Sequence, residues 1–121
     1  MCIRDRAYDP ASNSWSAIRD LPFSCRAATA VAYDDRYLLI MGPYIASAEE
    51  VKVHGQDYGT SAAALLYDTR QDSYAPLEPM PRAVCEVAFV RRGDRVYGMG
   101  GEQLYKIRSP YLFIGQVRAT P

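Results

Sequence analysis

The residues best equipped for chemistry lie in one short segment, Gly100-Gly101-Glu102-Gln103-Leu104-Tyr105-Lys106-Ile107-Arg108-Ser109. A carboxylate can take or give a proton during a reaction. A guanidinium can hold a ligand carboxylate through a planar, two-pronged fork that lysine does not reproduce. Glu102 and Arg108 are therefore the candidate catalytic pair. The simpler reading of the same residues is a solvated loop ion pair, worth under about 1 kcal/mol. His54 is the only histidine. Its ring suits proton transfer near neutral pH, but a lone loop histidine is more often solvated than catalytic. Cys25 and Cys85 read as free buried thiols rather than a disulfide. The sequence has no Cys-x-x-Cys pair and no histidine cluster, so it suggests no zinc site and calls for no cofactor.

The elements that must position this segment repeat at an offset of 59 residues. Tyr8-Asp9, Ser14-Trp15, Leu21-Pro22, Asp35-Arg36 and Gly42 recur as Tyr67-Asp68, Ser73-Tyr74, Met80-Pro81, Asp94-Arg95 and Gly101. A repeat of this size marks a stacked supersecondary unit. Each copy reads as strands. Tyr8-Asp9-Pro10-Ala11-Ser12-Asn13 is dense in turn formers, and Trp15 opens a short strand after it. Thr29 to Tyr33 and Tyr37 to Met41 are apolar runs around the polar tip Asp34-Asp35-Arg36. Val84 to Val90 and Arg95 to Met99 repeat that hairpin around Arg91-Arg92-Gly93-Asp94, and Tyr111 to Gly115 is a further strand. Continuous apolar runs of this kind fit strands buried on both faces.

The motif resembles the kelch repeat, with tyrosine–aspartate, turn, tryptophan, proline and then paired hydrophobic strands closed by two glycines. Gly100-Gly101 supplies the full glycine pair, whereas the first copy has Gly42-Pro43. The resemblance implies an all-β fold, a kelch-type β-propeller fragment of antiparallel four-stranded blades, about two to two and a half in number. Residues 7–26 are expected to end one blade. Residues 27–82 are expected to form a complete blade with an insertion at 43–62, and residues 83–117 an incomplete blade. About nine strands do not close a ring of roughly four to eight blades, so the expected partners include the remaining blades of the same protein. Residues 1–6, Met1-Cys2-Ile3-Arg4-Asp5-Arg6, read as a non-native leader, since the kelch pattern starts mid-blade at residue 7.

A narrower resemblance rests on Glu102, on Arg108 six residues later, on Ser109 and on the strand from Tyr111. These positions look like the N-acetylneuraminate epimerase family, kelch propellers that act as sialic acid mutarotases. The match is incomplete, because Tyr105-Lys106 stands where that family often has Pro-Gly. The resemblance implies an isomerase acting on a carboxylated sugar, with Glu102 and Arg108 as site residues, and a periplasmic or secreted location. The alternative is a non-enzymatic kelch scaffold that binds other proteins through its loops. Copper chemistry of the galactose oxidase type is a weaker third reading, because copper favours histidine ligands and His54 stands alone.

Composition agrees with strands and narrows the partners. Hydrophobic residues make up 49% of the 121, which allows a sizeable core, and ten tyrosines favour strands over helices. Formal net charge is zero, and no basic stripe offers itself to a phosphate backbone, so nucleic acid is not an expected partner. No apolar run approaches the ~20 residues of a membrane-spanning helix. The stretch 43–62 reads as irregular and separates two strands that usually lie closer. It reads either as a surface insertion with a solvated Glu49-Glu50 pair or as a lid bringing Tyr44, His54 or Tyr58 toward a pocket.

Overall fold

A computed structural model describes residues 5–23 and 25–118. Its strands pair antiparallel throughout. A first hairpin joins β1 (Arg6–Asp9) to β2 (Ser14–Ala17), with Tyr8 opposite Trp15. A four-stranded sheet follows in sequential order: β3 (Thr29–Tyr33), β4 (Tyr37–Met41), β5 (Ala64–Asp68) and β6 (Ser73–Pro76). A third sheet holds β7 (Ala88–Arg92), β8 (Arg95–Met99) and β11 (Leu112–Gln116), with β8 in the middle. Between β8 and β11 lies a miniature hairpin of β9 (Glu102–Leu104) and β10 (Ile107–Arg108).

The 59-residue repeat is written into the backbone as well as the side chains. Asn13 and Asp72, Ala27 and Glu86, Asp34 and Gly93, and Gly42 and Gly101 form four pairs at that offset, and all eight residues have positive φ. Asn, Asp and Gly enter this region at little cost. Ala27 and Glu86, for which the region is costlier, both lie just before the first strand of a sheet. There the Glu86 N–H donates to the Ala27 carbonyl at 3.1 Å. The hydroxyl of Thr29 donates to the Val87 carbonyl at 2.7 Å, tying β3 to the approach to β7.

The core lies between the four-stranded sheet and the third sheet. Leu39, Met41, Ala64 and Val96 are buried there, with Val31, Tyr33, Leu66 and Phe89 packed around them. Full burial of a side chain such as Leu39 contributes about 1.5–3 kcal/mol. Gly98 is required by this packing, because a Cβ on it would stand 2.3 Å from the Phe89 ring. The opposite face of the four-stranded sheet carries Leu65 and Tyr67, which are also buried. Beside it runs the chain after β2, where the Arg19 N–H donates to Asp72 at 2.8 Å and the Tyr74 hydroxyl donates to the Arg19 carbonyl at 3.2 Å.

Three expectations are corrected. Burial on both faces holds for β5, whereas β4 buries Leu39 and Met41 on one face and half-buries the other, and β3, β7 and β11 each have an exposed face. Val90, Leu112 and Ile114 lie outward on the third sheet because no element among the described residues covers that side. The strand expected from Val84 starts only at Ala88, since the left-handed Glu86 breaks the extended run. The stretch 43–62 is not irregular. It contains α1 (Ala48–His54) and a 3₁₀ turn (Gln56–Gly59). Ser47 caps α1 by accepting the Glu50 N–H, and the Glu50 carboxylate accepts the Ser47 N–H at 2.8 Å. That reciprocal pair is the Ser-x-x-Glu signature of a helix start.

Candidate functional site

The carboxylate of Glu102 is aimed by a clamped backbone. Gly101 turns the chain with φ +86°, and a Cβ there would stand 2.5 Å from the Cys85 carbonyl. With that side free, Glu102 and Cys85 exchange two backbone hydrogen bonds of 2.8 and 2.9 Å. The Ser109 N–H donates to the Gly101 carbonyl at 2.7 Å and closes the base of the miniature hairpin. Lys106, at φ +60°, makes the turn at its tip. A register irregularity between Ile107 and Arg108 then sets Arg108 opposite Glu102.

The two candidate residues thus face each other across a strand pair, the position at which opposite charges interact. Arg108 lies on β10. One terminal nitrogen of its guanidinium stands 3.0 Å from Glu102 Oε1 and 3.3 Å from Glu86 Oε2. The contact with Glu86 is an aligned hydrogen bond. Glu102 is the more sheltered carboxylate, with its side chain 18% exposed, against 53% for Glu86 and 72% for Arg108. One cation is therefore shared by two carboxylates of unequal exposure.

Glu86 was not a candidate from the sequence. It is 22 positions from Arg108, and its counterpart in the first copy, Ala27, carries no functional group. The other sequence candidates are not gathered around the pair. Tyr44 is buried, its hydroxyl donates to the Gln56 carbonyl at 2.6 Å, and the Arg26 guanidinium lies over its ring at 4.4 Å. Its role is to pin the insertion to the sheet. His54 stacks on the exposed Tyr58 ring at 4.3 Å. Cys85 is buried and Cys25 half-buried, and both are free thiols whose ionisation burial disfavours.

The insertion nevertheless touches the site's support. Asp57, in the 3₁₀ turn, accepts a hydrogen bond from the Tyr105 N–H at the tip of the miniature hairpin. The connections β4–β5 and β8–β11 therefore meet at the same end of their sheets. Arg82, Ala83, Gln103 and Leu104 line a shallow open depression, to which neither Glu102 nor Arg108 contributes. Arg82 is held there over the Tyr111 ring at 4.8 Å. Among the described residues, no group of three or more His, Cys, Asp or Glu side chains is placed to hold a metal ion, and no helix is long and apolar enough to cross a membrane.

No family model matches the chain. A solved structure described as "Structure of YjhT" superposes with a TM-score of 0.74 over 90% of this chain, at 16% sequence identity. This chain spans 39% of the length of that one. With the antiparallel sheets and their repeat, the likeness makes the fold a kelch-like β-propeller fragment.

Proposed function

We propose that this chain is part of a kelch-propeller enzyme that interconverts the anomers of a carboxylated sugar, in the manner of an N-acetylneuraminate mutarotase. The observation that carries the reading is the cross-strand placement of Glu102 and Arg108, 3.0 Å apart. The motif resemblance of Gly101-Glu102 and Arg108-Ser109 supports it.

Anomer exchange of a cyclic 2-keto acid sugar needs a proton taken from the anomeric hydroxyl as the ring carbon–oxygen bond breaks. The ring oxygen receives a proton, and reclosure on the other face reverses both transfers. Glu102 is suited to the proton transfers, since its backbone is clamped and its side chain partly sheltered. Arg108 is suited to the sugar's carboxylate, which a guanidinium binds with two parallel hydrogen bonds. The approach of β3 to β7 beside Glu86 fits an arrangement in which first strands line a central axis, where several blades form one pocket.

The test is anomer exchange of N-acetylneuraminate followed by NMR with the full-length protein. Glu102→Gln is expected to slow exchange about 10²–10⁴-fold while sugar binding persists, as loss of a general acid–base group would. Arg108→Lys is expected chiefly to weaken binding. Wild-type protein that does not accelerate exchange over buffer overturns the mutarotase reading.

The second reading is a protein-binding scaffold. It is favoured by Tyr58, Leu104, Tyr105 and Ile107, large apolar side chains exposed on the two connections that meet. Aromatic residues in such positions are common anchors of protein interfaces. A stable protein partner captured by the wild type, together with inert sugar chemistry, would select this reading.

A further inference from the structure

The shared guanidinium of Arg108 carries a consequence for ligand binding. Its aligned hydrogen bond goes to Glu86, the more exposed of the two carboxylates, and not to Glu102. We infer that Glu86 is an internal stand-in for a ligand carboxylate: it occupies Arg108 until a carboxylated ligand displaces it. This rests on the assignment of Arg108 as the carboxylate-binding residue.

Three features point the same way. The first is geometric. Glu86 and Glu102 reach the same terminal nitrogen of Arg108, and of the two only Glu86 is largely open to solvent, so it is the one an incoming carboxylate can replace. Glu102 is the sheltered carboxylate, and the strand pairing holds its backbone in place. The second is energetic. The Glu86–Arg108 contact is 3.3 Å long, with side chains 53% and 72% exposed. A solvated pair of this kind contributes little, so a ligand making two parallel hydrogen bonds outcompetes it. The third is positional. The Glu86 backbone is fixed by its bonded N–H, at a φ of +54° shared with the equivalent Ala27. The left-handed turn therefore belongs to the fold, and the carboxylate is the addition peculiar to this copy. Held at a fixed base, the Glu86 side chain can swing off Arg108 without movement of the sheet.

Displacement would also discriminate between ligands. A carboxylated sugar replaces the negative charge that Glu86 withdraws, so Arg108 keeps two anionic neighbours. An uncharged sugar leaves Glu86 where it is and gains nothing from Arg108. Glu86 thus acts as a positioning and specificity residue, setting a threshold that only an anion of the right shape passes.

The experiment measures binding of N-acetylneuraminate and of its uncharged methyl ester to the full-length protein by calorimetry, for wild type, Glu86→Gln and Arg108→Lys. Glu86→Gln keeps the side-chain size and removes the charge. It is expected to tighten N-acetylneuraminate binding by roughly two- to fivefold, the range of an exposed ion pair. Methyl ester binding should not change. Glu86→Asp, which retains the charge, should bind N-acetylneuraminate more nearly as wild type does. Equal N-acetylneuraminate affinity in wild type and Glu86→Gln, with Arg108→Lys weakened, overturns the stand-in role and leaves the assignment of Arg108 standing. Unaltered affinity in Arg108→Lys overturns that assignment and the inference with it. Parallel tightening for acid and ester shows a structural effect of the substitution and also overturns it.

Discussion

The hairpins β1–β2 and β5–β6 are built from the same parts and end in different environments. In both, a tyrosine donates its hydroxyl to a left-handed residue five positions on: Tyr8 to Asn13 at 2.8 Å, and Tyr67 to Asp72 at 2.7 Å. In both, that ring meets the aromatic on the returning strand, with centroids 5.1 Å apart for Tyr8–Trp15 and 4.7 Å for Tyr67–Tyr74. In both, an aspartate accepts the N–H two residues on, at 2.9 Å. Yet Tyr8 is 46% and Trp15 64% exposed, whereas Tyr67 is 4% exposed. Asp68 adds a forked pair with Arg36, with contacts of 2.5 to 3.0 Å, that Asp9 lacks among the described residues. Local sequence thus builds the hairpin, and the sheet around it supplies the burial and the ion pair.

The largest effect that would sharpen this contrast comes from removing the rings. Tyr67→Ala should destabilise the chain by about 3–5 kcal/mol, as loss of a buried aromatic does. Tyr8→Ala should cost under about 1 kcal/mol. Urea unfolding of the two variants measures the difference, and equal losses would mean that burial does not separate the two hairpins.

Acid should separate the two aspartates. Hydrogen bonds from Arg36 pull Asp68 down to about 2, below its ordinary value near 3.8. A carboxylate whose folded pKa is depressed contributes stability above its unfolded pKa and loses it as pH falls through the folded one. The Arg36–Asp68 contribution should therefore be complete above about pH 4 and fade toward pH 2. Asp68→Asn should flatten this limb of the stability–pH curve. Asp9 is lowered chiefly by the Ser12 hydroxyl, with no cationic partner among the described residues, so Asp9→Asn should flatten it less. An acid limb unchanged in Asp68→Asn would break the comparison at its electrostatic point.

The smallest effect concerns the hydroxyls. Tyr67→Phe leaves Asp72 without one donor in a half-buried setting and should cost about 0.5–1.5 kcal/mol. Tyr8→Phe breaks an exposed bond that water replaces and should be close to neutral. Thermal unfolding of the pair reads this difference.

The strands, their turns and the repeat were legible in the amino-acid sequence, because these depend on local chemistry. Apolar runs extend, Asp, Asn and Gly accept left-handed turns, and a motif repeated at 59 residues repeats its hydrogen bonds. The sequence also carried the helix α1, through Ser47 and Glu50, in a stretch whose length alone suggested a loop. Glu102 and Arg108 were legible as a carboxylate and a guanidinium at a suggestive spacing. Their facing across β9 and β10 was not, because the turn between them is made by Lys106, a residue type with no preference for positive φ. Tertiary structure alone decided that Glu86 joins them, that Asp57 grips the hairpin tip, and that Tyr67 is buried while Tyr8 is not. Each of these depends on segments distant in sequence meeting when sheets pack. Two copies of one local pattern cannot encode which of them will be covered.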